Sequence, residues 1–370
     1  MGDDVVTLFL CGDVMLGRGV DQILPHPGDP LLRESYVLDA RTYVELAEEV
    51  NGLIPRRADY SYPWGEALRI LDEVAPDVRV VNLETSVTRS DHFAPGKAVN
   101  YRMNPPNLPA LAVSQPDACA LANNHVLDFG REGLAETLDA LAAAGIATAG
   151  AGRDLDEARR PVVVPLAGGG RVLVFSFGME SSGIPSTWAA SACRSGVDLV
   201  PGSSEHVAGE ITERVRKVRR PGDIAVASIH WGSNWGYRIS RADIRFAHAL
   251  IDGGVDIVHG HSSHHPRPIE LYQGKLILYG CGDLIDDYEG ISGYEEFHDD
   301  LRLLYFASLD PATGRLTELR MAPLQSRRMR LCRATPDDTE WLRATLDEFS
   351  QGFGVDIRCA PDGLLTLRAA

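Results

Sequence analysis

Short apolar runs rich in Val, Ile and Leu alternate along the chain with segments of helical periodicity. Continuous apolar runs are typical of strands buried on both faces of a layered α/β domain. The pattern predicts strands over residues 5–10, 78–81, 118–121, 172–177, 224–229, 256–259 and 276–279. It predicts helices over residues 133–144 and 242–251, each closed by glycine.

Two long segments, residues 28–63 and 181–205, interrupt this alternation and are rich in Pro, Gly, Ser and aromatic residues. We expect these insertions to cover a site and to select its substrate. After residue 323 the alternation ends, and the pattern predicts a helix over residues 336–353 followed by a short hairpin. The chain is therefore predicted to form a main domain, residues 1–323, and a small carboxy-terminal appendage, residues 324–370.

Composition and charge narrow the classes of function. The formal net charge of the 370 residues is -16, which disfavours nucleic acid and anionic membranes as partners. The first apolar run is short and follows Asp3 and Asp4, which does not fit a signal peptide. Six cysteines without a C-x-x-C pair indicate reduced thiols, and we expect a cytoplasmic protein. No nucleophile elbow or nucleotide-binding glycine motif occurs at a predicted strand end, so no organic cofactor is expected.

Side chains that bind metals or move protons follow several of the predicted strands. Since the carboxyl ends of strands in α/β sheets form ligand sites, these side chains predict one composite metal site. Carboxylate, amide and imidazole donors suit Mn, Fe, Zn, Mg or Ca and exclude a structural cysteine-type zinc site. The runs are CGD at 11–13, NLE at 82–84, NNHVLD at 123–128, HWG at 230–232, HGHSSH at 259–264 and GD at 282–283. The predicted metal ligands are Asp13, Glu84, Asn123, Asn124, His125, His230, His261 and His264.

Single positions in these runs also have plainer interpretations. Asp13 alone could be a turn residue, and His230 alone could be a hydrogen-bonded core histidine; their recurrence at strand ends favours the site. Asp128 lies one turn beyond His125 and could hold its imidazole through a hydrogen bond. It could equally cap the helix that begins near residue 130.

The motifs as a set resemble those of the CapA family, named for poly-γ-glutamate capsule biosynthesis and related to calcineurin-like metallophosphoesterases. The resemblance extends from about residue 6 to residue 306. It implies a four-layered αββα calcineurin-like sandwich with a divalent metal centre. The matching motifs are GDxMxxR at 12–18, NLE at 82–84, ANNHxxDxG at 122–130, HWG at 230–232, and GHxxH at 260–264 followed by PIE at 268–270.

Three positions depart from the family pattern. Asn234 stands where members commonly have Glu, Ser262 replaces a His, and Asp283 replaces the Asn of a late Gly-Asn pair. These departures point away from a standard dinuclear phosphoesterase centre. The membrane anchor usual in capsule proteins of the family is also missing from the sequence, which argues against a capsule role.

The altered centre is compatible with a family offshoot, the lasso-peptide epimerase, which inverts the α-carbon of a carboxy-terminal tryptophan in a ribosomal precursor peptide. We therefore predict a metal-dependent peptide epimerase whose partner is that peptide. The reaction needs an acid, a base and a cation that stabilises enolate charge. The predicted proton-transfer residues are His125, His230 and His298, with Asp13, Asp128 and Asp299 as orienting or metal-tethering carboxylates. Trp64, Trp231 and Trp235 are predicted to line an aromatic subsite, with core packing as the alternative.

Two other functions stay open at the level of sequence. One is a phosphoesterase, in which a metal-activated hydroxide attacks phosphorus and His125 protonates the leaving oxygen. The other is a non-catalytic module that binds an acidic peptide or polymer through its metal. Sequence alone fixes neither the metal nor the oligomeric state.

Overall fold

The computed structural model describes residues 5–369, so Asp3 and Asp4 lie outside the described residues. The strands are, in chain order, β1 Val6–Val14, β2 Val78–Leu83, β3 Ser86–Val87, β4 Arg102–Met103, β5 Ala118–Ala120, β6 Thr148–Ala149, β7 Ala151–Gly152, β8 Val162–Pro165, β9 Arg171–Met179, β10 Gly196–Val197, β11 Leu199–Val200, β12 Ile224–His230, β13 Ile257–His261, β14 Ile269–Tyr272, β15 Lys275–Leu278, β16 Asp283–Ile285, β17 Leu301–Asp310, β18 Arg315–Ser326, β19 Leu331–Arg333, β20 Val355–Cys359 and β21 Leu365–Ala369. The α-helices are α1 Arg18–Ile23, α2 Arg41–Asn51, α3 Glu66–Val74, α4 Pro109–Ala112, α5 Gly130–Ala143, α6 Leu155–Arg159, α7 Glu205–Val218, α8 Arg241–Asp252 and α9 Pro336–Ser350.

Two large sheets carry most of the strands. The first has the order β20-β21-β18-β17-β1-β2-β5-β6, with β16 beside β1 and β19 beside β18. Within it β1, β2, β5 and β6 are parallel, whereas β17 and β18 run antiparallel. The second has the order β11-β9-β12-β13-β15-β14, with β8 beside β9. Five of its strands are parallel, so their carboxyl ends meet at one edge of the sheet; these are β9, β11, β12, β13 and β15.

Alternation along the strands builds three apolar cores. Leu8 and Leu10 of β1 share a core with Val174 of β9 and Val226 of β12, which joins the two sheets face to face. The intervening side chains of β1 belong to a second core with helices α2, α3 and α5. The outer face of the second sheet packs against α7 and α8 in a third core. Since a fully buried Leu or Val side chain contributes about 1.5–3 kcal/mol, these cores hold the strand ends in place.

The prediction of a mixed α/β fold with several sheets is confirmed by this structure. Strands β1, β12 and β13 extend beyond the predicted apolar runs, because Asp13, His230 and His261 still pair in their ladders although their side chains are polar. The predicted boundary between residues 323 and 324 falls inside β18. Strands β20 and β21 extend the first sheet through β18, so the tail is attached to that sheet.

Other expectations concern thiols and membrane segments. Cys11, Cys119 and Cys281 are buried and unpaired, as predicted. Within residues 5–369, no helix has both the length and the apolar character required to cross a membrane.

Candidate metal centre

Strand register brings the predicted donors together in pairs. On the first sheet Asp13 of β1 lies beside Asn82 of β2 and beside Asp283 of β16. On the second sheet His230 of β12 lies beside His261 of β13. Because the two sheets pack face to face, carboxylates from one and imidazoles from the other reach the same edge of the molecule.

A close crossing of two glycines fixes the position of Asp13 next to Asp283. A Cβ atom on Gly12 would lie 1.5 Å from the carbonyl oxygen of Gly282, so neither chain could approach this closely with a larger residue at position 12. The backbone N–H of Asp13 donates to that same oxygen over 3.0 Å. Gly282 has φ +77°, a conformation that favours glycine. The two glycines therefore place both carboxylates at one point.

Two groups of donors share Asp13. One comprises Asp13, His230 and His261, and the other comprises Asp13, Glu84 and Asp283. Within each group the potential ligand atoms lie within 4.8 Å of one another, and every residue is buried. Three protein donors are the usual complement of a catalytic cation site, and oxygen and imidazole donors suit divalent cations. The residues present therefore fit a divalent cation.

Burial disfavours the charged form of two carboxylates in these groups, Asp13 and Glu84. Burial and the charge of Asp283 raise the pKa of Asp13 to about 7. Burial and the neighbouring charge of Asp13 raise the pKa of Glu84 well above its ordinary value. Burial likewise lowers the pKa of His230 and of His261, which keeps both imidazoles neutral and able to act as ligands. A divalent cation at this point would favour the ionised carboxylates.

Two asparagines hold the strand ends in register. The Asn82 amide donates to Asp13 Oδ1 over 2.7 Å, and the Asn123 amide donates to Asn82 Oδ1 over 3.1 Å and to the Leu83 carbonyl over 2.8 Å. Asn123 Oδ1 accepts from the backbone N–H of His125 at 3.1 Å. The amide of Asn123 is thus engaged within the protein and positions the strand ends, and its role as a metal ligand stays a prediction.

His125 and Asp128 form a buried pair beside the donor groups. His125 Nδ1 lies 2.6 Å from Asp128 Oδ2, and the Tyr101 ring stacks on the imidazole with centroids 3.7 Å apart. The residue at the cap position of α5 is Phe129, and it makes no side-chain cap hydrogen bond, so Asp128 holds His125 instead of capping the helix. Burial lowers the pKa of His125 to about 4, although Asp128 opposes this shift. The imidazole is therefore neutral near pH 7.

His264 and Asn124 occupy the outer side of the centre. His264 Nδ1 lies 3.0 Å from Asp283 Oδ2, and its Nε2 lies 2.9 Å from Asn234 Nδ2. Burial would lower the pKa of His264, but the charge and hydrogen bond of Asp283 raise it above its ordinary value. Asn124 Oδ1 lies 3.0 Å from His230 Nε2. Both predicted ligands therefore contact members of the donor groups without belonging to either group.

A cavity of about 450 Å³ opens onto the centre, and we call it the site cavity. Glu84, Asn124, His125 and His264 line it, whereas Asp13, His230 and His261 are buried behind them. The two irregular insertions each contribute to its wall, through Tyr43 and Gly183. Trp235 also lines it, stacked on Tyr294 with ring centroids 4.0 Å apart.

The structure corrects two of the three predicted aromatic contacts. Trp64 is fully buried in the core beneath the first sheet and donates from its indole to the Ala110 carbonyl over 2.7 Å. Trp231 is buried in the core of the second sheet against Phe246 and Tyr279. Neither lines the site cavity, because both rings lie on the side of their elements that faces a core.

His298 and Asp299 belong to neither donor group. The His298 ring stacks on Trp341 with centroids 4.0 Å apart and lines a second cavity of about 600 Å³. Asp299 lines both cavities. Placement of His298 outside the site cavity removes the basis for its predicted role in proton transfer.

Asp283 and Asn82 are the residues of the centre that the predicted ligand set lacks. Both were visible as parts of the GD and NLE runs. The departure of Asp283 from the family pattern predicts a weakened centre, whereas the structure places its carboxylate in a donor group with Asp13 and Glu84. The signal that could have identified it is the glycine before each acid, since Gly12 allows the close crossing and Gly282 adopts a φ of +77°.

The chain is similar to several proteins that carry a name. The chain is 57% identical over 363 residues to a Mycobacterium tuberculosis protein described as a probable polyglutamine synthesis accessory protein, covering 98% of this chain and 96% of that protein. It is 27% identical over 287 residues to the PGA biosynthesis protein CapA of Bacillus subtilis, covering 77% of this chain and 64% of that protein. A crystal structure of a Thermus thermophilus protein aligns with a TM-score of 0.36 at 9% identity, covering 84% of this chain and 97% of that one, which is too distant to inform the fold.

The predicted peptide epimerase is therefore wrong. Proteins similar to nearly the whole chain are named for polyglutamine synthesis, and more distant ones for PGA or capsule biosynthesis. The departures at Asn234, Ser262 and Asp283 do not mark an epimerase, and the argument against a capsule-related role from a missing anchor also fails. These residues contribute to the centre through hydrogen bonds and the donor group described above.

The family itself is established by the extent of the match. A family model described as bacterial capsule synthesis protein PGA_cap matches residues 7–288. That span includes every member of the two donor groups and both residues of the His125–Asp128 pair. The chain belongs to the bacterial capsule synthesis protein family, PGA_cap.

Proposed function

We propose that this chain is a metal-dependent accessory enzyme in the synthesis of a polymer of glutamine or glutamate. The observation that carries the proposal is the arrangement of two donor groups around the shared carboxylate of Asp13, at the inner end of a cavity. The names of the similar proteins supply the class of polymer. The helix–sheet–sheet–helix order of layers expected for the family is part of the same proposal, and the three cores support it.

The chemistry proposed for the centre is the activation of a carbonyl group of the polymer. A bound divalent cation supplies Lewis-acid polarisation of an oxygen atom. His125 is placed to take up or release a proton, because Asp128 holds its Nδ1 and the ring lines the cavity. The nearest carboxylate to His125 Nε2 within residues 5–369 is Glu84, whose Oε1 lies 3.8 Å away. Tyr101 fixes the ring by stacking.

Complementation of a gene disruption tests this function. The polymer is measured as glutamate released by acid hydrolysis of the polymeric fraction of cells in which the gene is disrupted and then restored. We expect the wild-type gene and an Asp72→Asn control, which alters an exposed carboxylate far along α3, to restore the polymer. Asp13→Asn should not restore it although the protein accumulates to the same level. Full restoration by Asp13→Asn, or an unchanged amount of polymer after disruption, would contradict the proposal.

A further inference from the structure

The second cavity adjoins the site cavity. Its volume is about 600 Å³, and three of its wall residues, Tyr288, Ile291 and Asp299, also line the site cavity. The two cavities are therefore neighbours on a single surface, with these side chains at their junction. A ligand longer than one cavity can occupy both.

Most of the second cavity is built after the end of the family match. The match ends at residue 288, whereas the wall includes several residues between 289 and 302, the end of β18 with Arg327, and the start of α9. Thr335 and Asp338 provide the contribution from α9. This part of the chain therefore adds a second cavity beside the centre.

The wall of the second cavity is rich in carboxylates and poor in available cations. Arg302 is buried and its charge is matched by Asp286 at 2.5 Å. The only other guanidinium in the wall, within the part of the chain that the structure describes, is that of Arg327. The carboxylates are Asp286, Glu289, Glu295, Asp299, Asp300 and Asp338.

One buried donor in this wall lacks a partner. Arg302 is 1% exposed, yet its Nε makes no hydrogen bond to any group within residues 5–369. A buried N–H group without an acceptor costs about 1–3 kcal/mol, so a ligand that brings an acceptor to it would be stabilised. The wall thus holds one unpartnered donor, the Nε atom of Arg302 just below its surface, and many acceptors on the carboxylates around it.

Resting on the proposed function, we propose that the second cavity binds a neutral, carboxamide-bearing stretch of the polymer and discriminates against the carboxylate-bearing form. A carboxamide has both N–H donors and a carbonyl acceptor, which complement the carboxylates and Arg302 respectively. A glutamate side chain lacks those donors and carries a negative charge into a wall of like charge. Repulsion of the wrong form is an effective source of specificity.

The Arg and Lys side chains that line the site cavity do not offset this selection. Arg18 is buried, and its guanidinium contacts Asp287 at 2.5 Å and Glu34 at 3.1 Å. Lys97 lies 3.3 Å from Asp128. Because both charges are matched within the protein, a polyanionic chain gains little from them.

Binding of matched oligomers tests the inference. The probes are hexamers with blocked ends, in both α-linked and γ-linked series, that carry either free carboxylates or carboxamides. Their affinities for the full chain loaded with Mn²⁺ are measured by calorimetry at low and high salt. We expect the carboxamide hexamer of one series to bind at least about tenfold more tightly at low salt, with a smaller difference at high salt.

Two variants connect that preference to the second cavity. Asp299→Asn removes a charge at the junction, and Glu295→Gln removes one from an exposed residue whose replacement leaves the core untouched. Each should strengthen binding of the carboxylate hexamer by about fivefold and leave the carboxamide hexamer nearly unchanged. The Asp72→Asn control should alter neither.

The outcomes separate this inference from the proposed function. Equal or tighter binding of the carboxylate hexamer, or an unchanged preference in both variants, would overturn the selection for carboxamides while leaving a polymer-binding enzyme. If no hexamer of either series binds to the wild-type protein, both the inference and the proposed function are overturned.

Discussion

Asp13 connects the contacts on which the centre depends. It accepts hydrogen bonds from the Asn82 amide and from the backbone N–H of Ser262, and it belongs to both donor groups. The carboxylate is 1% exposed, and its pKa is raised to about 7 by burial and by Asp283. An ionised carboxylate at this position lowers the stability of the metal-free fold, whereas a bound cation would stabilise it. This is expected of a residue placed for binding.

The cost of Asp13 predicts an unusual pH dependence. In the folded metal-free protein the pKa of Asp13 is about 7, whereas the ordinary pKa of an aspartate is 3.8. Between these two pH values the folded state binds more protons than the unfolded chain. The free energy of unfolding therefore falls through this group as pH rises from about 4 to 7. Asp13→Asn lacks the titration. Its free energy of unfolding relative to wild type should therefore increase by about 1–3 kcal/mol between pH 5 and pH 8.

Urea denaturation after chelation, at both pH values, measures this change. The Asp72→Asn control should show a difference from wild type that does not vary with pH. A constant difference for Asp13→Asn as well would show that Asp13 is ionised in the folded protein throughout this range, contrary to the electrostatics described above.

At the scale of elements, the centre depends on how strand ends meet. The apolar pattern located the central strands because burial on both faces requires continuous Val, Ile and Leu. It could not locate their last residues, since Asp13, His230 and His261 are polar yet pair in the ladders. The apolar pattern also does not predict the pairing of β16 with β1, because that contact joins residues 270 positions apart where Gly12 crosses Gly282.

The glycine crossing yields a prediction for Gly12→Ala. The added methyl group would overlap the Gly282 carbonyl, so β1 must move away from β16 and separate Asp13 from Asp283. We expect a loss of about 2–3 kcal/mol in the free energy of unfolding, together with weaker cation binding. Gly209→Ala in α7 is the matched control, since no atom lies within 4 Å of the added group, and it should be neutral or stabilising by up to about 1 kcal/mol. Equal behaviour of the two variants would show that the crossing is not restrictive.

The aromatic and histidine positions show where sequence reasoning reached its limit. Trp64, Trp231 and Trp235 are all near polar motifs, but only Trp235 faces the site cavity. Which side of an element a tryptophan occupies depends on packing between distant segments, and local spacing does not encode it. His298 illustrates the same limit, because the helix that it stacks on, α9, begins almost forty residues later.

At the scale of the whole molecule, the two sheets contribute different donors. The first provides the carboxylates of Asp13 and Asp283, with Glu84 just after β2, and the second provides the imidazoles of His230 and His261. A cation held by both would connect the sheets and stabilise the folded state by mass action.

The function was mispredicted because three departures from a family pattern carry no information about lineage, whereas similarity over nearly the whole chain does.

Anomalous diffraction from crystals grown with Mn²⁺ tests the central claim most directly. The account predicts an anomalous peak within about 2.0–2.3 Å of a carboxylate oxygen of Asp13, in contact with members of one or both donor groups. Crystals of Asp13→Asn under the same conditions should show a weaker peak or none. A strong peak that is unchanged in Asp13→Asn, or wild-type crystals without a peak at Asp13, would contradict a cation centre organised by this residue.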